Sequence, residues 1–369
     1  MDFGLGLMGY DGCWEDAAFA EAHGFSSAGF VDSPLLGGDP FVCLGLAAKA
    51  TDTMRLGTFL AVPSNRIAPT TASAIATVNR LAPGRAFLGI GTGYTARNTF
   101  GLPPVSASRF RDYALECRQL LANEEVVHKS GKAERPIRFA HTEDRYVELE
   151  PQIPVYMAAD GPKALSATGE VADGWITTLQ YSGMMHNSPE VFASSRQVIT
   201  EAAAGAGRDF GDGYTILSAA MCVLEEGESA VSPRALERIG PCAMMAFHSY
   251  SDKPEIADFL PPPIQDRLGV YRDKVMARFD VSPDRVYQEA HRGHLSHLLE
   301  GEDEVLTEEI VRMTTLTGTA PEIAEKLRAL EAAGLKNVSL WIPPHLIREV
   351  VLEVERDVMP LLRKEAQSV

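Results

Sequence analysis

The chain has 369 residues, of which 45% are hydrophobic and 23% charged, and its 34 Lys and Arg against 50 Asp and Glu give a formal charge of −16. That balance disfavours nucleic acid, whose phosphates call for clustered Lys and Arg, and anionic membranes. It leaves room for an anionic cofactor held by backbone N–H groups.

The predicted elements alternate in chain order. Phe3 to Met8 reads as a strand and Trp14 to His23 as a helix ending at Gly24. Ser26 to Val31 is a strand, followed by a Pro/Gly-rich loop from Ser33 to Pro40 and a helix from Phe41 to Thr51. Met54 to Val62 (strand), Pro69 to Leu81 (helix), Ala86 to Gly91 (strand) and Arg109 to Asn123 (helix) come next. A looser polar stretch runs from Glu124 to Glu150. The rhythm resumes with strand Pro154 to Ala159, helix Pro162 to Val171, strand Gly174 to Thr178, helix Pro189 to Ala204 and strand Tyr214 to Leu224. Lys336 to Ile342 is the last strand, before a C-terminal helix. Regular strand–helix alternation implies a parallel sheet covered on both faces. Eight such units fit an α/β fold of the (β/α)8 TIM-barrel type, with an open doubly wound sheet as the alternative. The expectation is a single domain over residues 1–369 with a helical segment inserted at about 234–304, on the rim formed by the strand C-termini.

The five cysteines (Cys13, Cys43, Cys117, Cys222 and Cys242) form no CxxC pair and suit isolated thiols in a reducing compartment. The N-terminus lacks the basic region of a signal peptide, and no apolar run approaches the ~20 residues of a membrane span. A cytoplasmic protein with no nucleic-acid or membrane partner is expected.

Three segments carry candidate chemistry. In Arg85-Ala-Phe-Leu-Gly-Ile-Gly-Thr-Gly-Tyr94, glycines alternate inside a strand. They mark either ligand contact at Thr92 to Tyr94 or a strand packed too tightly for a Cβ. The spacing does not match a dinucleotide fingerprint. In Pro154-Val-Tyr-Met-Ala-Ala-Asp-Gly-Pro-Lys163, a strand ends, Gly161 turns the chain and Pro162 opens a helix. Proline is favoured there, and the free N–H groups and dipole of a helix start suit an anion. Asp173-Gly-Trp-Ile-Thr-Thr178 ends in hydroxyls at the same rim.

These runs, with Thr71-Ala-Ser-Ala-Ile-Ala-Thr77 and Ala172-Asp-Gly-Trp175, resemble the luciferase-like flavin-dependent oxidoreductase superfamily. Within it they resemble the branch that uses the deazaflavin coenzyme F420 and includes methylenetetrahydromethanopterin reductase. The likeness runs from Met1 to about Thr178 and returns weakly at Leu316-Thr-Gly-Thr319 and the last strand. It implies that Asp32 lies near the deazaflavin ring, with Phe59 and Leu60 forming a non-prolyl cis peptide behind it. Thr92, Gly93, Tyr94 and Thr177 would line the cofactor, and Ala159, Asp160, Gly161 and Pro162 would hold its phosphate.

Two residues depart from the family pattern. Ser33 stands where several members have His after the aspartate, and Tyr94 stands where the sugar-phosphate dehydrogenases have Glu. Both argue against sugar-phosphate oxidation. Asp32 and Tyr94 are the catalytic candidates, Tyr94 either as a proton donor or as a ring packed on the cofactor. The resemblance implies hydride exchange between coenzyme F420 and a small organic molecule in a homodimeric enzyme. The alternative is an FMN-dependent monooxygenase drawing phosphate contacts from the charged stretch Lys129 to Arg145.

The insertion carries His291-Arg-Gly-His294-Leu-Ser-His297. Helical spacing of three would put two imidazoles on one face. Without HExxH or further ligands at standard spacing, no metal site is expected. Ser33, His248, Tyr250, His291 and His294 are read as substrate-pocket candidates, the histidines alternatively as caps of a surface helix.

Overall fold

A computed structural model describes residues 1–142, 146–179 and 188–363, the side chain of Asp252 excepted. Its strands are β1 (Asp2–Leu7), β2 (Ser27–Phe30), β3 (Arg55–Thr58), β4 (Ala86–Ile90), β5 (Val126–Ser130), β6 (Ala133–Ile137), β7 (Val155–Ala158), β8 (Gly174–Thr178), β9 (Tyr214–Ala219), β10 (Met221–Val223), β11 (Leu316–Gly318) and β12 (Asn337–Trp341). Eight of them close a barrel in the order β1-β12-β9-β8-β7-β4-β3-β2. The alternation of elements thus resolves as a (β/α)8 barrel and not as an open sheet.

The chain divides into two compact units. The first comprises Asp2–Thr177 with Ser194–Ile216. It holds helices α1 (Cys13–Ala22), α2 (Pro40–Ala50), α3 (Ala68–Leu81), α4 (Tyr94–Asn98), α5 (Ala107–Leu121) and α6 (Pro162–Val171). Parallel register runs from Leu7 opposite Phe30 to Phe30 opposite Thr58 and onward through β4, β7 and β8. Near the N-terminal ends of β3, β4, β7 and β9, the rings of Phe87, Tyr156 and Tyr214 stack at 5.3 and 5.7 Å between centroids. The Arg55 guanidinium lies 4.3 Å from the Tyr214 centroid and bonds the Tyr156 hydroxyl. This cation–π stack plugs that end with apolar area, so chemistry belongs at the other.

The glycines of β4 answer to packing. A Cβ on Gly89 would meet the Thr58 carbonyl oxygen at 2.3 Å, and one on Gly91 would meet Leu60 at 2.7 Å. The Thr58 hydroxyl donates to the Gly89 carbonyl at 2.7 Å. Close approach of β3 and β4 therefore requires Gly89, while Gly91, just past β4, meets the Leu60 side chain, whose end can shift.

The second unit comprises Met1, Thr178–Ala193 and Leu217–Val369. Residues read as one strand from Tyr214 to Leu224 form β9 and then β10, which leaves the barrel to pair with β11. Their shared apolar run hides the break. Residues 234–304 form a series of short helices, and a core around Ile239, Met244, Phe247, Tyr271, Val305 and Ile310 gathers them with flanking segments of this unit. The stretch read as loose between Glu124 and Glu150 contains the antiparallel hairpin β5–β6. Its residues are mostly exposed on both faces, so no alternation of apolar and polar side chains announced it.

Replacing Gly89 by Ala is expected to destabilise the fold by about 3 kcal/mol or more, because a backbone oxygen must move. Denaturant unfolding checks this; a loss below about 1 kcal/mol would mean that β3 and β4 separate freely.

Candidate functional site

The first unit gathers the barrel-borne candidates at the C-terminal ends of β2, β3, β4, β7 and β8. Asp32 follows β2 and is 3% exposed. Its Oδ2 accepts the Val62 N–H at 3.2 Å, and its backbone carbonyl accepts from the Asn65 amide at 3.1 Å. The Arg66 Nη1 stands 3.5 Å from its Oδ1. Burial pushes the Asp32 carboxyl above its ordinary range, and Asn65, Val62 and Arg66 oppose that shift. Asp39 caps α2, its Oδ1 accepting from the N–H groups of Phe41 at 2.9 Å and Val42 at 3.3 Å, and its Oδ2 pairs with Arg66. A cavity of about 480 Å³ opens here, lined by Asp32, Ser33, Asp39, Asn65, Arg66 and Phe100 among others.

The Phe59–Leu60 peptide after β3 is cis, as the family resemblance implies. Thr92 and Gly93 follow β4, Gly93 at φ 77° where a side chain is disfavoured, and Tyr94 opens α4, half-buried. After β7, the Ala159 N–H donates to Ile176 at 3.1 Å, and its carbonyl accepts from the Trp175 indole at 2.7 Å. The Thr177 hydroxyl donates to Asp160 Oδ1 at 2.7 Å. Gly161 is the N-cap of α6, Pro162 its first residue, and no side chain caps the helix. A Cβ on Gly161 would meet nothing within 4 Å. The turn is thus anchored at Ala159 and Asp160 and open at Gly161, and the α6 dipole supplies partial positive charge there.

The sequence reading missed Asp39, Asn65 and Arg66. Asp39-Pro40 is a legible helix start, but nothing local shows that Asn65 and Arg66 fold back on Asp32. Lys129 lies on the exposed hairpin and pairs with Glu134 at 3.5 Å, while Arg145 falls outside the described residues.

His248, Tyr250, His291 and His294 sit in the second unit. His248 is 1% exposed and its Nε2 lies 2.7 Å from Oε1 of the fully buried Glu302. Ring centroids of His248, His291 and His294 are 5.1 to 6.0 Å apart. The residues from His291 to Ser296 form turns, not a continuing helix, so the helical basis for pairing His291 with His294 is corrected: the chain reversal brings the rings together. The Nδ1 of His291 donates to the Tyr287 carbonyl at 2.9 Å. Tyr250 is 6% exposed within the core of the insertion. Among the described residues no group of His, Cys, Asp and Glu is arranged to hold a metal ion.

Comparison with known proteins decides the family, since the luciferase-like monooxygenases match residues 8–337. The chain belongs to that family. It is 26% identical over 326 residues to a 5,10-methylenetetrahydromethanopterin reductase of Archaeoglobus fulgidus, covering 87% of this chain and 86% of the relative. It is 25% identical over 368 residues to an F420-dependent glucose-6-phosphate dehydrogenase of Gordonia bronchialis, covering 95% and 93%. A reductase of the first kind from Methanolobus tindarius is 30% identical over 197 residues, and there the match spans only 56% of the relative. Among solved structures, the coenzyme F420 dependent tetrahydromethanopterin reductase from Methanopyrus kandleri superposes with a TM-score of 0.68 at 21% identity, covering 98% of this chain and 99% of that one. An FMN complex of a type II Baeyer–Villiger monooxygenase component from Pseudomonas putida superposes at 0.64 and 14% identity, covering 98% of each. At these identities the superpositions show the shared barrel. Among the described residues of this family member, no helix is long and apolar enough to cross a membrane.

The histidine cluster generates a pH prediction. Burial, with the neighbouring His248 adding to it, lowers His291 from 6.5 to about 4 and holds His294 well below 6.5. Both stay neutral when folded and take up protons below pH 6.5 when unfolded. The neutral His291 therefore contributes its full stability above pH 6.5 and loses it as pH falls towards 4, and His294 acts in the same direction. His291 alone accounts for about 3 kcal/mol across that window. Urea unfolding from pH 7 to pH 4 is expected to show a flatter acid slope in a His291→Gln, His294→Gln variant. Equal slopes would acquit the histidines.

Proposed function

We propose that this oxidoreductase transfers hydride between coenzyme F420 and a small organic substrate, reducing a C=C, C=N or C=O bond in a specialised metabolite. The observation that carries the reading is the uncapped start of α6 at the end of β7, in a chain that aligns over most of its length with two relatives named for F420-linked or tetrahydromethanopterin chemistry. An open Gly161 and a helix dipole fit a phosphate, which suits a chain of net charge −16 because backbone N–H groups bind it without Lys or Arg.

Coenzyme F420, when bound, supplies two-electron hydride chemistry. The N–H groups of Asp160, Gly161 and Lys163 would hold its phosphate, with Ala159 anchoring the turn through its bond to Ile176 and Pro162 contributing only its fixed φ. Thr177 fixes Asp160 and so the shape of that turn. Phe59 and Leu60 would back the ring, with Thr92, Gly93 and Tyr94 along its edge and Asp32 beside it. Tyr94 is the proton-donor candidate. Ser33 faces the cavity beside Asp32, where substrate would enter. The rim would orient the reactants and exclude water.

Separate titrations of the purified protein with coenzyme F420 and with FMN test this. Preferential binding of F420 is expected; tight binding of FMN with none of F420 would replace hydride transfer by an oxygen-using monooxygenase. A Gly161→Val variant is expected to bind F420 at least about tenfold more weakly, because its side chain would fill the open space and hold the phosphate off an N–H contact worth about 1.4 kcal/mol. Its thermal midpoint should hold, because the position has φ −86° and open space. Wild-type affinity in that variant would move the phosphate elsewhere.

A further inference from the structure

We propose that Arg66 is a positioning residue for Asp32: clamped between Asp39 and the Phe41 ring, its guanidinium is a fixed counter-charge that holds the Asp32 carboxylate in the orientation the cofactor site uses. The inference rests on the reading of Asp32 as a cofactor-side residue.

The geometry forms a chain of supports. The α2 N-terminus orients Asp39, because two backbone N–H groups bind its Oδ1. Asp39 leaves Oδ2 for Arg66, and the guanidinium carbon lies 4.9 Å from the Phe41 centroid. An ion pair and a cation–π contact from the same helix start thus fix the guanidinium. Its Nη1 meets Asp32 Oδ1 at 3.5 Å. That distance is too long for a strong fork and short enough for a charge–charge attraction. Besides Arg66, the Asp32 carboxylate has only neutral donors beside it, the Val62 N–H at 3.2 Å and the Asn65 amide, and it is 3% exposed. A carboxylate buried with so few donors favours the neutral acid unless an opposite charge is held beside it.

The other titratable groups nearby do not replace Arg66. Asp39 repels Asp32, and Arg66 itself neutralises it. Tyr113 of α5 also faces the carboxylate; burial pushes its phenol well above 10, and it shares a 2.6 Å hydrogen bond with Thr71. It stays neutral through the range in which Asp32 titrates.

A merely structural staple would hold the loop after β3 to α2 without governing the charge of Asp32, and one experiment separates the two roles. The carboxylic-acid carbonyl band of Asp32 is followed by infrared pH titration of the cofactor-free protein, with Asp32→Asn as the blank. In Arg66→Gln the midpoint is expected to move to higher pH, and in Arg66→Lys to return most of the way to the wild-type value. An unchanged midpoint in a folded Arg66→Gln, or identical shifts with Gln and Lys, would overturn the proposal. Should the glutamine variant fail to fold, Arg66→Met serves, since it keeps the apolar stem against Phe41 and removes only the charge. There too the midpoint is expected to move to higher pH, and no movement would overturn the proposal. Titration of the same proteins with F420 keeps the readings apart. A wild type that ignores F420 removes the cofactor reading, while the infrared midpoints still decide whether Arg66 governs Asp32.

Discussion

The approach of β4 to the end of β3 is the constraint on which the site depends. No Cβ fits between Gly89 and the Thr58 carbonyl, and the Thr58 hydroxyl ties the two strands at that level. The chain leaving β3 keeps beside β4, Ala61 bridging Ile90 in parallel, and the residues after it reach back to Asp32. That path brings the Val62 N–H, the Asn65 amide and the Arg66 guanidinium to Asp32. A contact made for packing thus sets the electrostatics of an acid one strand away. Tightly packed interiors transmit such placement because they have few alternative arrangements.

Much of this was legible in the sequence and some was not, for physical reasons. Barrel strands buried on both faces are short apolar runs, so β1, β2, β4, β7 and β8 stood out, as did helices opened by Pro40 or Pro162. The β5–β6 hairpin was hidden because it buries almost nothing, and β10 because the same apolar run continues from β9. The glycines of β4 were visible, but only coordinates could assign Gly89 to a carbonyl 2.3 Å from its missing side chain.

The same division runs through the site. Gly161-Pro162 was readable as an uncapped helix start because its signals are local: a cap without a side chain, a proline, a helix dipole. Asp32 emerged only through family likeness, and Arg66 not at all, because 34 residues of chain separate them. The clustered histidines were conspicuous for the wrong reason. Helical spacing suggested them, yet turns bring them together, and Glu302 and the Tyr287 carbonyl bind them.

The distribution of charge within this acidic chain follows from these details. Where an anionic phosphate is proposed, the protein offers backbone N–H groups and a helix dipole, which cannot be neutralised by the surplus of Asp and Glu elsewhere. At the opposite side of the β2–β8 rim it spends a guanidinium, and surrounds it with two carboxylates and an aromatic face so that it cannot wander to an anion. The planar, permanently charged arginine, gripped from α2, keeps its charge directed at Asp32. Fixed dipoles at the turn proposed for the phosphate and a fixed counter-charge for the acid are two forms of the same preorganisation, and both begin at the first turn of a helix, α6 in one case and α2 in the other.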